Sequence, residues 1–198
     1  MIDNSALASA EAHIKQLALK IEGLEFPASD RNRLSAACFH QALEHHEAIV
    51  LLVRRNLNGS ALALVRPMFE IYVRAIWLGH CASEIDLERF QKGKLKKEFA
   101  ELVSDVETHE GYNVGVLSDV KKKSWRTMND YTHGGPRQVI RRITADSIAS
   151  NYSTEEMQEL VTFAGTVGLL ATSEISLLAG REDIAAALLE ELKDISAR

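Results

Sequence analysis

Apolar residues recur at helical spacing along most of this chain. Between residues 3 and 24 they stand on one face, at Leu7, Ala10, Ile14, Leu17, Ile21 and Leu24. Positions three and four apart share a face of an α-helix, whereas strands alternate every second residue, and that alternation does not recur here. We therefore predict an all-α fold, a bundle of about six helices in one domain spanning residues 1–198.

Breaks in the pattern set the helix boundaries. Helix-breaking Gly and Pro residues and Ser or Asp caps separate the apolar stretches. The predicted helices span residues 3–24, 30–56, 60–81, 118–133, 153–179 and 181–197, and residues 84–107 are amphipathic and charge-rich. Pro67 lacks the backbone N–H that a helix needs, so we expect the third helix to kink near residue 63.

Composition places the chain among ordinary globular proteins. It is 46% apolar and 26% charged, enough to bury the core of one domain. The apolar stretch 60–81 carries three charges near its middle, which disfavours a membrane span. The N-terminus lacks the basic and apolar pattern of a secretory signal, and two cysteines imply no disulfide framework. We expect a soluble, cytoplasmic protein.

The segment with the most chemistry runs from Trp125 to Pro136. On a helix, Arg126, Asn129, Asp130 and His133 share one face, because they lie three, four and seven residues apart. Arg126 and His133 would be about 10 Å apart on a straight helix. They would contact one small group together only if the helix distorts or a second chain contributes.

This spacing resembles the R-x(4–6)-H motif of the HEPN superfamily of helical bundles. The wider context, residues 61–70 followed by 131–135, also looks like a bacterial family of unknown function. The HEPN resemblance implies a metal-independent endoribonuclease, often a toxin or phage-defence effector, whose site forms where two chains meet. Its implied partners are a second copy, RNA, and an antitoxin or other protein.

The resemblance assigns roles to the four motif residues. His133 would move protons at a ribose 2′-hydroxyl and a leaving oxygen, since imidazole titrates near neutral pH. Arg126 would stabilise phosphoryl charge with its planar guanidinium. Asn129 or Asp130 would orient the imidazole or the substrate.

The same residues also have a structural explanation. A histidine at a helix C-terminus before Gly134-Gly135 is favoured by the helix dipole, and Arg126 with Asp130 can form a surface ion pair. Residues 121–142 carry seven basic side chains against Asp130 alone, a net charge of +6 in a chain of −5 that leaves −11 elsewhere. This segment could hold phosphate or could be a solvated face.

A second set of charges lies on the third predicted helix. Arg66, Glu70 and Arg74 follow at i, i+4 and i+8 on a helix that is otherwise mostly apolar. Such charges must pair or face a wet cleft. We take them as substrate-binding candidates opposite the motif, together with Tyr131 and Arg137, and an ion-pair network that fixes helix register is the alternative.

Histidines on the second predicted helix supply a third candidate. His40 and Glu44 share a face, and His45 and His46 follow. The sequence lacks the paired Glu-x-x-His motifs of di-iron bundles, so we predict surface or interface histidines and no metal site. It also lacks glycine-rich phosphate loops and dinucleotide fingerprints, which argues against ATP-dependent or hydride-transfer chemistry and predicts no cofactor.

Two functional hypotheses follow. The first is a homodimeric HEPN-like ribonuclease, or an inactive RNA-binding relative, with its site at Arg126, Asn129, Asp130 and His133. The second is a non-catalytic helical interaction or scaffold module, which a large exposed apolar face, with His133 buried and bonded to a backbone carbonyl, would favour.

Overall fold

The computed structural model describes residues 2–196, and the described chain is α-helical with no strand. The helices are α1 (Asn4–Ile21), α2 (Asp30–Arg54), α3 (Asn58–Ala63), α4 (Val65–His80), α5 (Glu84–Gln91), α6 (Phe99–Val106), α7 (Val116–Thr132), α8 (Pro136–Ile140), α9 (Thr154–Leu178) and α10 (Glu182–Ser196). The all-α prediction is confirmed. The expected number of about six is wrong for this part of the chain, because four short helices accompany six long ones.

Local sequence explains where the extra helices arise. Gly93 adopts a left-handed backbone with φ of 65°, so the amphipathic stretch 84–107 divides into α5 and α6. The third predicted helix divides at Leu64 into α3 and α4, close to the expected kink. Pro136 begins α8 at the first helical position, where a missing N–H costs nothing.

Two 25-residue helices, α2 and α9, organise the core. α2 packs along both α4 and α9, while α1 and α10 cover the other side of α9. α4 contributes the largest buried side chain, Trp77, whose indole N–H donates to Asp105 of α6 at 2.8 Å. One apolar cluster thus runs through all the long helices except α10, which packs on a smaller one.

The apolar character of α9 comes from its central position. By length and composition alone this helix could cross a membrane, but 61% of its most apolar window is buried by other parts of the chain. A core helix of a soluble protein has these properties.

A buried histidine fits into a notch on α9. His46 of α2 is 2% exposed, and a Cβ atom placed on Gly168 would lie 2.3 Å from its Nδ1. The two helices approach closely because Gly168 has no side chain. His46 is therefore part of the core, which contradicts its expected place at the surface or an interface, whereas His40 is exposed.

The notch predicts that alanine substitutions at two glycines of α9 have opposite effects on the stability of the protein. Gly168→Ala should destabilise the protein by about 2 kcal/mol or more, because its Cβ would overlap His46. Gly165→Ala is the matched control, since its Cβ would meet His13 and His46 only at 3.9 Å and alanine favours helix. Urea unfolding would measure both, and equal stabilities for the two variants would contradict the notch.

Stability should also depend on pH through His46. Burial, and secondarily the nearby His13, lower the pKa of His46 from 6.5 to about 4. The unfolded chain therefore binds the proton first as the pH falls. The stabilisation is complete above about pH 6.5 and decreases toward pH 4, by about 3 kcal/mol in total.

Urea unfolding between pH 4 and 7 would test this expectation. His46→Gln should flatten the pH dependence, whatever its effect on stability at neutral pH. His40→Gln, a change at an exposed position on the same helix, should keep the wild-type slope. An unchanged slope in His46→Gln would rule out His46 as the source.

Candidate functional site

A proline on α4 creates the position where α7 docks. Pro67 has no N–H to donate to the carbonyl of Ala63, four residues earlier. The hydroxyl of Thr132, on the last turn of α7, instead lies 3.2 Å from that carbonyl and 2.9 Å from its own Met128 carbonyl. The break between α3 and α4 thus leaves an acceptor that brings the C-terminal end of α7 against the start of α4.

Arg66 lies at this junction and joins the two helices. Its Nη1 lies 2.6 Å from Asn129 Oδ1 and 2.8 Å from His133 Nε2, and its Nε donates to Glu70 Oε1 at 2.9 Å. A guanidinium has only donors, so His133 Nε2 must accept and carries no proton in this arrangement. Arg66 therefore connects two residues of the motif on α7 with Glu70 on α4.

The guanidinium of Arg66 packs against an aromatic stack. Arg66 Cζ lies 4.6 Å from the ring centroid of Trp125, which stacks nearly parallel on Phe99 of α6 at 4.7 Å. The negative face of an indole ring attracts a cation and restricts its position. Trp125 was not among the predicted site residues. Its i, i+4 spacing to Asn129 nevertheless places it on the same side of α7.

The turn after α7 exposes His133. Gly134 has φ of 66°, and the N–H of Gly135 donates to the carbonyl of Asp130 at 2.6 Å, which closes a Schellman motif with His133 as the C-cap. A Cβ on Gly135 would lie 2.9 Å from the Cα of Asp130, so this position also requires glycine. The imidazole therefore stands at an exposed helix end, bonded to a side chain and not to a backbone carbonyl.

In the described structure, neither Asp130 nor Arg126 forms a hydrogen bond or ion pair with the imidazole of His133. Asp130 Oδ2 lies 3.3 Å from Arg137 Nε at the start of α8. Arg126 is exposed and makes no hydrogen bond or ion pair with the residues that the structure describes. The arginine that contacts His133 is Arg66 of the same chain, in a position where the motif alone had suggested Arg126.

The remaining predicted site residues lie elsewhere. Arg74 lies near the ring of Phe90, 6.0 Å from its centroid, and its buried Nε has no partner in the described chain. Tyr131 is buried on the other side of α7, with its ring centroid 6.3 Å from that of Tyr152. The structure thus brings together Arg66, Glu70, Asn129 and His133, and separates Arg74 and Tyr131 from them.

The histidines of α2 lie away from this site. His45 follows His40 and Glu44 along the helix, and burial lowers its pKa. Among residues 2–193, whose side chains are described, no three His, Cys, Asp or Glu residues are grouped so that they could hold a metal ion.

A family model covers most of the chain and all of the candidate site. Residues 39–196 match the model described as a family of unknown function, DUF6988. The chain belongs to this family. Comparisons with curated proteins and with solved structures give no match. The family's description assigns no activity.

The contacts of Arg66 predict that it is energetically coupled to Asn129, whereas Arg126 is not. In a double-mutant cycle, Arg66→Gln and Asn129→Ala should show a coupling of about 1 kcal/mol, since they share a short hydrogen bond. Arg126→Gln combined with Asn129→Ala should show none, because Arg126 has no partner in the described structure. Urea unfolding measures the cycle, and equal couplings for the two arginines would contradict the described contacts.

Proposed function

We propose that this protein is a HEPN-like, metal-independent endoribonuclease. The observation that carries the proposal is an exposed His133 whose unprotonated Nε2 lies 2.8 Å from the guanidinium of Arg66. This pairing places a general base beside a permanent cation, the two groups that phosphodiester cleavage requires. The resemblance of Arg126 and His133 to the R-x(4–6)-H motif supports the same activity.

The reaction follows from the chemistry of these groups. His133 Nε2 takes the proton of a ribose 2′-hydroxyl, and the 2′-oxygen then forms a bond to phosphorus as the bond to the 5′-oxygen breaks. The proton returns to the departing 5′-oxygen, so the products are a 2′,3′-cyclic phosphate and a 5′-hydroxyl. Arg66 and Arg126 stabilise the negative charge on the phosphoryl oxygens.

Substrate binding has to release His133 from Arg66. A phosphate oxygen carries negative charge and is a stronger acceptor for a guanidinium than a neutral imidazole. An incoming phosphate would therefore take the place of His133 at Nη1 of Arg66 and free Nε2 for the 2′-hydroxyl. Glu70 and Trp125 would keep Arg66 in position during this exchange.

Positive charge along α7 favours binding of a polyanion at the face that carries His133. Lys122 and Arg126 are exposed on the same side of the helix as Asn129 and His133. Lys121 adds a cation near Trp125, 5.9 Å from its ring centroid. Such a row attracts phosphates, while the net charge of −11 outside residues 121–142 reduces non-specific binding elsewhere.

The same proposal includes two kinds of partner, a second copy of the chain and an antitoxin or other protein. A homodimer would bring Arg126 of one copy to His133 of the other and complete the composite site that the HEPN resemblance implies. Arg66 already supplies one cation from the same chain, so dimerisation would add to a site that is partly formed in each copy. An antitoxin or other protein would bind an effector of this kind in the cytoplasm.

A non-catalytic interaction module is the second candidate. Large apolar side chains are exposed on α8 and in the segment that follows it, at Val139, Ile140, Ile143 and Ile148, which are 55%, 62%, 56% and 79% exposed. Clustered apolar side chains of this kind mark binding surfaces. The exposure of His133 and its bond to Arg66 favour the ribonuclease proposal over this one.

Cleavage of a labelled mixed RNA pool in the presence of chelator tests the proposal. Wild-type protein should cut the RNA and leave 2′,3′-cyclic phosphate ends, and His133→Ala should be slower by about 100-fold or more, because it lacks the base. Arg126→Ala should also lose activity without loss of stability. His40→Ala is the matched control, an exposed histidine remote in sequence from the motif, and it should cut like the wild type.

The other outcomes separate the alternatives. RNA that is bound but left uncut by the wild type would identify an inactive RNA-binding relative. Neither binding nor cleavage would favour the interaction module. Equal cleavage by wild type and His133→Ala would show that any activity lies elsewhere or comes from a contaminant.

A further inference from the structure

A cleft of about 600 Å³ lies on the side of α7 away from His133. Its walls come from the α3–α4 junction, α7, α8 and the first turns of α9. The residues of α7 that line it are Lys123, Ser124, Thr127, Met128 and Tyr131. A helix turns about 100° per residue, so these positions lie opposite Lys122, Arg126, Asn129 and His133. The cleft is therefore separate from the proposed catalytic face.

The floor of the cleft is apolar and partly aromatic. Val65, Met128 and Leu160 are buried there, and the rings of Tyr131 and Phe163 line it. Sites for small organic ligands have volumes of roughly 300 to 1,000 Å³ and combine such a floor with a few polar groups. The size and lining thus suit one flat organic group.

The rim carries cations on one side and acceptors on the other. Lys123 of α7 borders the cleft, as do Arg137 of α8, which is paired with Asp130, and Arg141, which is paired with Glu156 of α9. Glu159 of α9 is exposed and forms no hydrogen bond or ion pair with any residue that the structure describes. The rim therefore offers cations to an anion and one uncommitted carboxylate to hydrogen-bond donors.

We propose that this cleft binds a single nucleotide. Its base would lie on the apolar floor, its phosphate would pair with Lys123 and Arg137, and Glu159 would accept from the amino or hydroxyl groups of the base or ribose. The nucleotide is either free or part of an RNA strand that passes around the end of α7. Only the second source rests on the proposed ribonuclease function, for which the cleft would then select the base.

Binding of the four ribonucleoside 5′-monophosphates, measured by titration calorimetry, tests the cleft. At least one should bind the wild type more tightly than inorganic phosphate does, because phosphate alone gains nothing from the apolar floor. Lys123→Glu should weaken that binding about tenfold through loss of a charged hydrogen bond. Lys94→Glu is the matched control, since it makes the same charge change at an exposed lysine outside both the cleft and the cation row of α7, and it should bind normally.

A second variant fills the cleft. Ser124→Trp places a large ring at its wall and should abolish nucleotide binding while the circular dichroism spectrum and the unfolding midpoint remain those of a folded protein. The inference is overturned if no monophosphate binds, if phosphate binds as tightly as the nucleotides, or if Lys94→Glu and Lys123→Glu weaken binding equally.

RNA cleavage assays identify the source of the nucleotide. If Lys123→Glu and Ser124→Trp change which base is cut while His133→Ala still binds monophosphates, the cleft serves the RNA substrate. Monophosphate binding without any RNA cleavage would leave a free-nucleotide site and reject the ribonuclease. Cleavage with unchanged base preference and no monophosphate binding would keep the ribonuclease and reject the nucleotide cleft.

Discussion

The candidate site depends on the backbone carbonyl of Ala63, which receives no hydrogen bond from the residue four positions later because that residue is Pro67. Pro67 removes the N–H that would bond to Ala63, the chain breaks at Leu64, and the hydroxyl of Thr132 approaches the free carbonyl. A partly buried acceptor without a partner is costly, so this contact favours docking of α7 at one place along α4. Arg66 is one residue before Pro67, and this docking brings it within reach of His133 and Asn129.

Arg66 can serve two purposes with the same contacts. In the resting structure it satisfies Glu70, Asn129 and His133 and rests on Trp125, which fixes the angle between α4 and α7. With its side chain 19% exposed, it also remains accessible to a solvent-borne anion. A cation that is held by neutral acceptors and one carboxylate can exchange a weak acceptor for a phosphate, so a structural clamp and a phosphate site are compatible.

α7 separates two surfaces with different chemistry. One face presents cations and an imidazole to solvent, and the other forms a wall of an apolar cleft with a charged rim. The tight turn at Gly134 and Gly135 connects them, because it directs α8 back so that Arg137 pairs with Asp130.

The sequence by itself determined the helical fold and most helix boundaries, because apolar periodicity, caps and helix breakers act over a few residues. It also indicated the segment 125–136 and the charges on α4. Local signals were insufficient for the central position of α9. The burial of His46 depends on Gly168, more than one hundred residues away in the chain.

Only the tertiary structure decided which residues meet. Helical spacing placed Arg126, Asn129, Asp130 and His133 on one face, yet it could not show that Asp130 turns to Arg137 or that Arg66 reaches His133. Those contacts depend on how α4, α7 and α8 pack, and hence on the carbonyl left free by Pro67. The sequence thus determined the chemical groups, whereas packing determined their partners, because hydrogen bonds and ion pairs require proximity between segments that are distant in the chain.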